Sequence, residues 1–265
     1  MKNPKFCIIT PISQLEQYAS QSDTHLVLAH LVDSNKEYAE FYKKMSKRGD
    51  QLILDNSAFE LKEPYKPEKL IELATIVGAQ TIVLPDYPFQ SGITTVDAAN
   101  EFIPLFKEAG FKCMFVPQSK VDDLEDWMYA YSWAAINPHI DAIGMSILGI
   151  PNALPHIPKS YARVVMSQLL ISKGIFNHNK YHHYLGLNSG PNVELPALIK
   201  MNALNSCDSS NPVWCGINNI EYNEYYSDWM GFTKDRLPHV DFDYSDNVYH
   251  NTIQHNLDLT LSIFK

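Results

Sequence analysis

Three short apolar runs of the chain each end in an aspartate: Leu52-Ile53-Leu54-Asp55, Ile82-Val83-Leu84-Pro85-Asp86 and Ala203-Leu204-Asn205-Ser206-Cys207-Asp208. A buried parallel strand reads as a near-continuous hydrophobic run, and an acid at its carboxyl end stands where α/β barrels assemble their active sites. Each acid carries two readings. Asp55 is a general acid or base if a reacting atom comes within hydrogen-bond reach, or it caps a turn. Asp86 has the same two readings, with Tyr87 beside it as a flat face on which a planar base can stack. Asp208 is a carboxylate nucleophile able to form a glycosyl intermediate, or a helix cap. Their number favours chemistry, because acids at three strand ends converge on one mouth if the barrel closes, and independent caps have no need to converge.

Other residues stand at comparable positions. Gln118 follows Met114-Phe115-Val116-Pro117 and offers a donor and an acceptor to a purine edge, or bonds a neighbouring loop. Gly144, in Ala142-Ile143-Gly144-Met145-Ser146, lets a ligand approach the backbone or relieves crowding inside a barrel. Lys43, Lys44, Lys47 and Arg48 form a dense basic cluster whose spacing puts several on one helical face, which is a phosphate-docking strip or a solvated surface. No histidine or cysteine pair has metal-site spacing, and Gly186-Leu187-Asn188-Ser189-Gly190 lacks the lysine and glycine pattern of a phosphate loop. No metal is expected.

These residues need a scaffold, and the hydrophobic pattern supplies one. Strand-like runs recur at residues 6–10, 25–32, 51–55, 81–86, 112–117, 141–147, 182–187 and 203–208. Helical patterns fall between most of them: after Pro67 with Gly78 as the stop, at 97–109 with Pro104 as a kink or a late start, and near 121–136, 158–174 and 192–202. Eight strands alternating with helices predict an α/β fold, a TIM (β/α)8 barrel with right-handed crossovers. The 265 residues fit one domain, with a core over about 1–212 and a carboxyl-terminal extension over about 213–265. In that extension Tyr222, Tyr225, Tyr226, Trp229 and a run of acids replace the alternation, as in a segment that covers the barrel.

Composition bounds the function. A hydrophobic share of 45% with 19% charged residues describes an ordinary globular chain, and no apolar stretch approaches the length of a membrane span or a signal-peptide core. The expectation is a cytoplasmic protein whose four scattered cysteines stay reduced. A net charge of -9 argues against tight non-specific binding to nucleic acid, so a nucleic-acid substrate requires a local basic strip such as Lys43, Lys44, Lys47 and Arg48.

Taken in order, these pieces resemble the tRNA-guanine transglycosylase superfamily, whose barrel exchanges guanine for a 7-deazaguanine derivative without cutting the backbone. Asp55-Asn56-Ser57-Ala58-Phe59 resembles the family's aspartate-serine-glycine-glycine-phenylalanine segment, and Asp86-Tyr87-Pro88 stands where its base-binding aspartate lies. Val116-Pro117-Gln118-Ser119, Ala142-Ile143-Gly144-Met145-Ser146 and Tyr184-Leu185-Gly186 with Pro191 resemble three further stretches, and Cys207-Asp208 inverts the family's aspartate-cysteine order. The resemblance implies Asp208 as nucleophile and Asp55 as the proton carrier. It implies that Asp86, Gln118 and the Gly144 backbone read the base edge, with Tyr87 or Phe59 at its flat face. The family's three clustered cysteines and histidine for structural zinc are absent, which makes the chain look more like the DNA-modifying branch of phages and bacterial genomic islands. The implied partners are DNA and a free 7-deazaguanine base, with no redox cofactor or nucleoside triphosphate, and the chain acts alone, as a homodimer or with a partner subunit. A tRNA substrate, or a non-catalytic barrel that positions nucleic acid for another enzyme, is the alternative.

Overall fold

A computed structural model describes residues 3–187, 191–223 and 239–265. Tyr225, Tyr226 and Trp229 of the expected extension lie outside the described residues. Eight parallel strands form one sheet: β1 (Lys5–Ile8), β2 (Thr24–Leu28), β3 (Gln51–Asp55), β4 (Thr81–Val83), β5 (Lys112–Phe115), β6 (Ala142–Gly144), β7 (Tyr181–Tyr184) and β8 (Ser206–Ser209). Their order is β1-β8-β7-β6-β5-β4-β3-β2, and β1 and β2 come side by side to nearly close the barrel. All eight strands fall on the apolar runs predicted from sequence.

Alternation along each strand sorts side chains into two layers. Cys7, Ile9, Leu26, Ile53, Val83, Met114, Val116 and Ala142 pack together inside the barrel. Their strand neighbours Phe6, Ile8, Leu52, Leu54, Ile82, Phe115 and Ile143 join the larger core beneath the helices. Asp55 lies two residues beyond Ile53, which aims it along the inward side at the carboxyl end.

The helix Pro67–Val77 begins at its proline and stops at Gly78, whose φ of +73° closes the last turn. Gly92–Glu108 starts earlier than the expected Asp97 and runs through Pro104. Its first turn is held by Asp126 of the next helix, which accepts from the Gly92 N–H at 2.8 Å and from the Ser91 hydroxyl at 3.0 Å. The predicted run 25–32 splits: β2 ends at Leu28 and Ala29–Ser34 is helical. An apolar run of that length fits either state, and here Asn35 caps the helix Lys36–Arg48 directly behind it.

Beyond β8 the chain forms helices Asn211–Ile217 and His250–Ser262. A side chain at Gly216 would meet the Ile253 backbone at 2.6 Å, so only glycine allows this approach of the two helices. Asn256, fully buried, donates to the Pro212 and Ile220 carbonyls and accepts from the Tyr222 N–H. Ile253 and Leu257 enter the main core, and Phe264 meets Phe6 of β1 at 5.7 Å. No helix among the described residues is long and apolar enough to cross a membrane.

Candidate active site at the carboxyl end of the barrel

Parallel strands place their carboxyl ends on one face, and the three aspartates gather there. Asp55 ends β3, Asp86 follows β4, and Asp208 lies in β8. Burial pushes the Asp55 carboxyl well above the usual range, and the charges of Glu60, Asp86 and Asp208 push it further. Those couplings put the acids in one electrostatic neighbourhood. Glu60, in the one-turn helix Ala58–Leu61 after β3, is raised by desolvation and by the charge of Asp208. One Asp55 oxygen accepts from the Ser57 N–H at 2.8 Å. Ser57 takes φ +58°, a left-handed conformation more natural to glycine, and its Oγ accepts from the His30 N–H at 3.1 Å.

Asp86 is bracketed by two amides. Asn56 Nδ2 donates to one carboxylate oxygen at 2.7 Å, and Gln118 Nε2 donates to the other at 2.5 Å. Burial raises the Asp86 pKa to about 6, against the opposing pull of both amides. Gln118 is itself buried, with Gly149 alongside: a Cβ at that glycine would stand 3.0 Å from Gln118 Oε1. The loops after β3, β4 and β5 thus form a single hydrogen-bonded group.

Asp208 is held from one side only. Its Oδ1 lies 3.1 Å from His183 Nε2 and accepts from the Gly186 N–H at 3.0 Å, while no donor among the described residues bonds Oδ2. The other ring nitrogen of His183 lies 2.6 Å from Ser206 Oγ. The Gly186 turn is fixed in its turn by the buried Arg163, whose guanidinium donates to the carbonyls of Met145, Leu185 and Gly186 and pairs with Glu194.

The remaining expected site residues divide. Tyr87 is half-buried beside Asp86, and its hydroxyl is raised by burial and by the charges of Glu101 and Asp86. Phe59 is 43% exposed at the rim, 5.3 Å from His239 and with Lys62 Nζ 5.5 Å over its ring. Gly144 faces the packed interior: a Cβ there would meet Val116 Cγ2 at 2.8 Å and Leu185 Cδ1 at 3.0 Å, the geometry of crowding relief. Lys43 and Lys44 lie midway along the helix Lys36–Arg48, and only Lys47 and Arg48 lie at its end, towards the far end of the barrel. Their helix runs back from β2 towards the start of β3; Lys44 pairs with Glu16 at 2.8 Å, and Arg48 holds Asp50 and the Ser20 and Ser22 carbonyls. The structure does not bring these cations to the acids. A cavity of about 370 Å³ also opens at that far end, among Gln51, Thr81, Lys112, Lys180 and Tyr181.

Asn56, Glu60 and His183 join the site without a sequence signal of their own. Asn56 and Glu60 are ordinary polar residues just beyond β3, and His183 is marked only by its inward place on β7, two residues from Tyr181. Among the described residues no group of three or more metal-ligating side chains is arranged around a common point, and all four cysteines are buried.

Fold and site together define a parallel α/β barrel with a carboxylate-rich centre at its carboxyl mouth. Compared with known proteins, the chain matches no family model and no curated protein.

Proposed function

We propose that the protein is a base-exchange glycosyltransferase that replaces guanine in DNA with a 7-deazaguanine derivative through a covalent aspartyl-sugar intermediate. The observation that carries this reading is the division of labour among three neighbouring acids: the Asp55 carboxyl is pushed upward by burial and by the acids around it, Asp86 is bracketed by amides, and Asp208 has one oxygen held and one without a donor among the described residues. That is an acid, a recognition group and a nucleophile within one mouth.

In the first step Oδ2 of Asp208 attacks the anomeric carbon, the bond from that carbon to guanine breaks, and Asp55 gives its proton to the departing base. In the second step the incoming base gives its proton to the Asp55 carboxylate and bonds the anomeric carbon, and the electron pair of the breaking ester returns to Asp208. Protons and charge balance over the cycle without a co-reactant. Asp86 and Gln118 present acceptors and a donor to the polar edge of the base, and Tyr87 and Phe59 stand near its faces. A target inside a duplex must be flipped out at a cost of a few kcal/mol. Because Lys44 and Arg48 are already paired with Glu16 and Asp50, phosphate contacts fall to exposed rim lysines such as Lys62 and Lys120.

The test is mass spectrometry of nucleosides digested from duplex DNA, and in parallel from tRNA, after incubation with 7-deazaguanine bases. Modified deoxynucleoside supports the proposal, and modified ribonucleoside alone moves the substrate to tRNA. Exchange that appears only after a second chain is added makes this protein a positioning subunit.

A further inference from the structure

We infer that His183 is a positioning residue that sets how fast Asp208 leaves the sugar. The inference rests on the base-exchange reading above and goes beyond it, because that reading requires only a carboxylate. In a double displacement Asp208 has two opposed tasks: it attacks in the first step and departs in the second. A free carboxylate spreads its charge over both oxygens, whereas in the ester Oδ2 is bonded to carbon and Oδ1 is a carbonyl. Donors aimed at Oδ1 bind the anion more strongly than the ester. They therefore restrain the attack slightly and favour the departure, in the manner of an oxyanion hole turned on the enzyme's own leaving group.

The geometry points to His183 as the adjustable half of that pair. The Gly186 N–H is backbone, at 3.0 Å, and the His183 imidazole is at 3.1 Å on the same oxygen. The ring is fully buried, and the Ser206 hydroxyl at 2.6 Å from Nδ1 fixes its orientation. A carboxylate only accepts, so Nε2 must carry a proton, and Nδ1 is free to accept from Ser206. With Oδ1 occupied twice, Oδ2 is the oxygen left to face the sugar.

The experiment separates the two half-reactions. Wild-type protein, His183→Gln and His183→Leu are mixed with end-labelled duplex or tRNA, and the covalent protein–nucleic acid adduct is quantified under denaturing conditions before and after a free base is added. His183→Leu is expected to slow breakdown of the adduct about ten- to a hundredfold, the scale of one hydrogen bond to a charged group, and so to raise the steady-state adduct fraction. Glutamine, which keeps a donor near the Nε2 position, is expected to recover part of the rate. Equal slowing of both half-reactions, or an unchanged adduct fraction, overturns the inference. A second measurement needs no activity and no variant at position 183. Imidazole ¹⁵N spectra of the wild type are expected to show His183 protonated at Nε2, with that signal moving in Asp208→Asn; an unprotonated Nε2 overturns the inference. Wild-type protein that shows the Nε2 proton but forms no adduct and exchanges no base refutes the base-exchange reading itself, and the leaving-group role with it.

Discussion

Asp86 offers a prediction that depends on the structure alone. Its carboxyl is raised from the ordinary 3.8 to about 6, chiefly by burial, although Asn56 and Gln118 both donate to it. A carboxyl that holds its proton more tightly when folded adds stability in acid. That contribution is fully present below about pH 3.8 and is lost as the pH rises through about 6. At about 1.4 kcal/mol per pH unit the whole effect is about 3 kcal/mol, of which about 2 lies between pH 4.5 and 7.5. Asp86→Asn removes the titration. Asparagine brings its own cost, since its amide must be accommodated by a turn of the Asn56 or Gln118 side chain, but that cost does not depend on pH. The quantity to measure is therefore a difference of differences: urea unfolding free energies of wild type and variant at pH 4.5 and at pH 7.5. The wild type should lose about 2 kcal/mol relative to the variant on going to the higher pH. A gap that does not change with pH, or that changes in the opposite direction, would refute the burial argument for Asp86.

Three further outcomes are expected from the same geometry. Asp55→Asn keeps the shape of the neutral acid and removes its proton, so single-turnover exchange should fall about 10²- to 10⁴-fold while affinity for the free base changes little; the reverse pattern would make Asp55 a binding residue. If Asp55 supplies the proton as proposed, wild-type exchange should also decline as the pH rises through the raised Asp55 pKa. Arg163→Met leaves Glu194 buried and unpaired and releases the carbonyls that order Gly186, so it should cost about 3–5 kcal/mol of stability in urea; a loss below about 1 kcal/mol would show that the pair does not clamp β6 to β7.

The strands and the acids were legible in the sequence because both rest on short-range rules. Runs such as Leu52-Ile53-Leu54 read as buried parallel strands wherever they occur, and an acid at the end of such a run is oriented by the strand itself. What escaped depends on distance. The spacing of Lys43, Lys44 and Lys47 shows a common helical face, but which end of the barrel that face adorns follows only from the helix running back from β2 to β3. His183 gains its meaning from Asp208 on the neighbouring strand, a partner supplied by the pairing of β7 with β8. The helix His250–Ser262 hides because its buried positions include two polar residues: Asn256, satisfied by Pro212, Ile220 and Tyr222 elsewhere in the fold, and Thr260, whose hydroxyl donates to the Asn256 carbonyl one turn back. Gly144 shows the converse: its position on a strand was evident, and only the neighbouring Val116 and Leu185 show what the missing side chain makes room for.

The central claim is that Asp208 attacks a nucleotide sugar. The most direct measurement is mass-spectrometric peptide mapping of the protein trapped by denaturation during incubation with duplex DNA, or with tRNA. The account predicts a nucleic-acid adduct on the peptide that contains Asp208, lost in Asp208→Asn and discharged by a free 7-deazaguanine base. Base exchange by Asp208→Asn at the wild-type rate, or an adduct on any other residue, would contradict it.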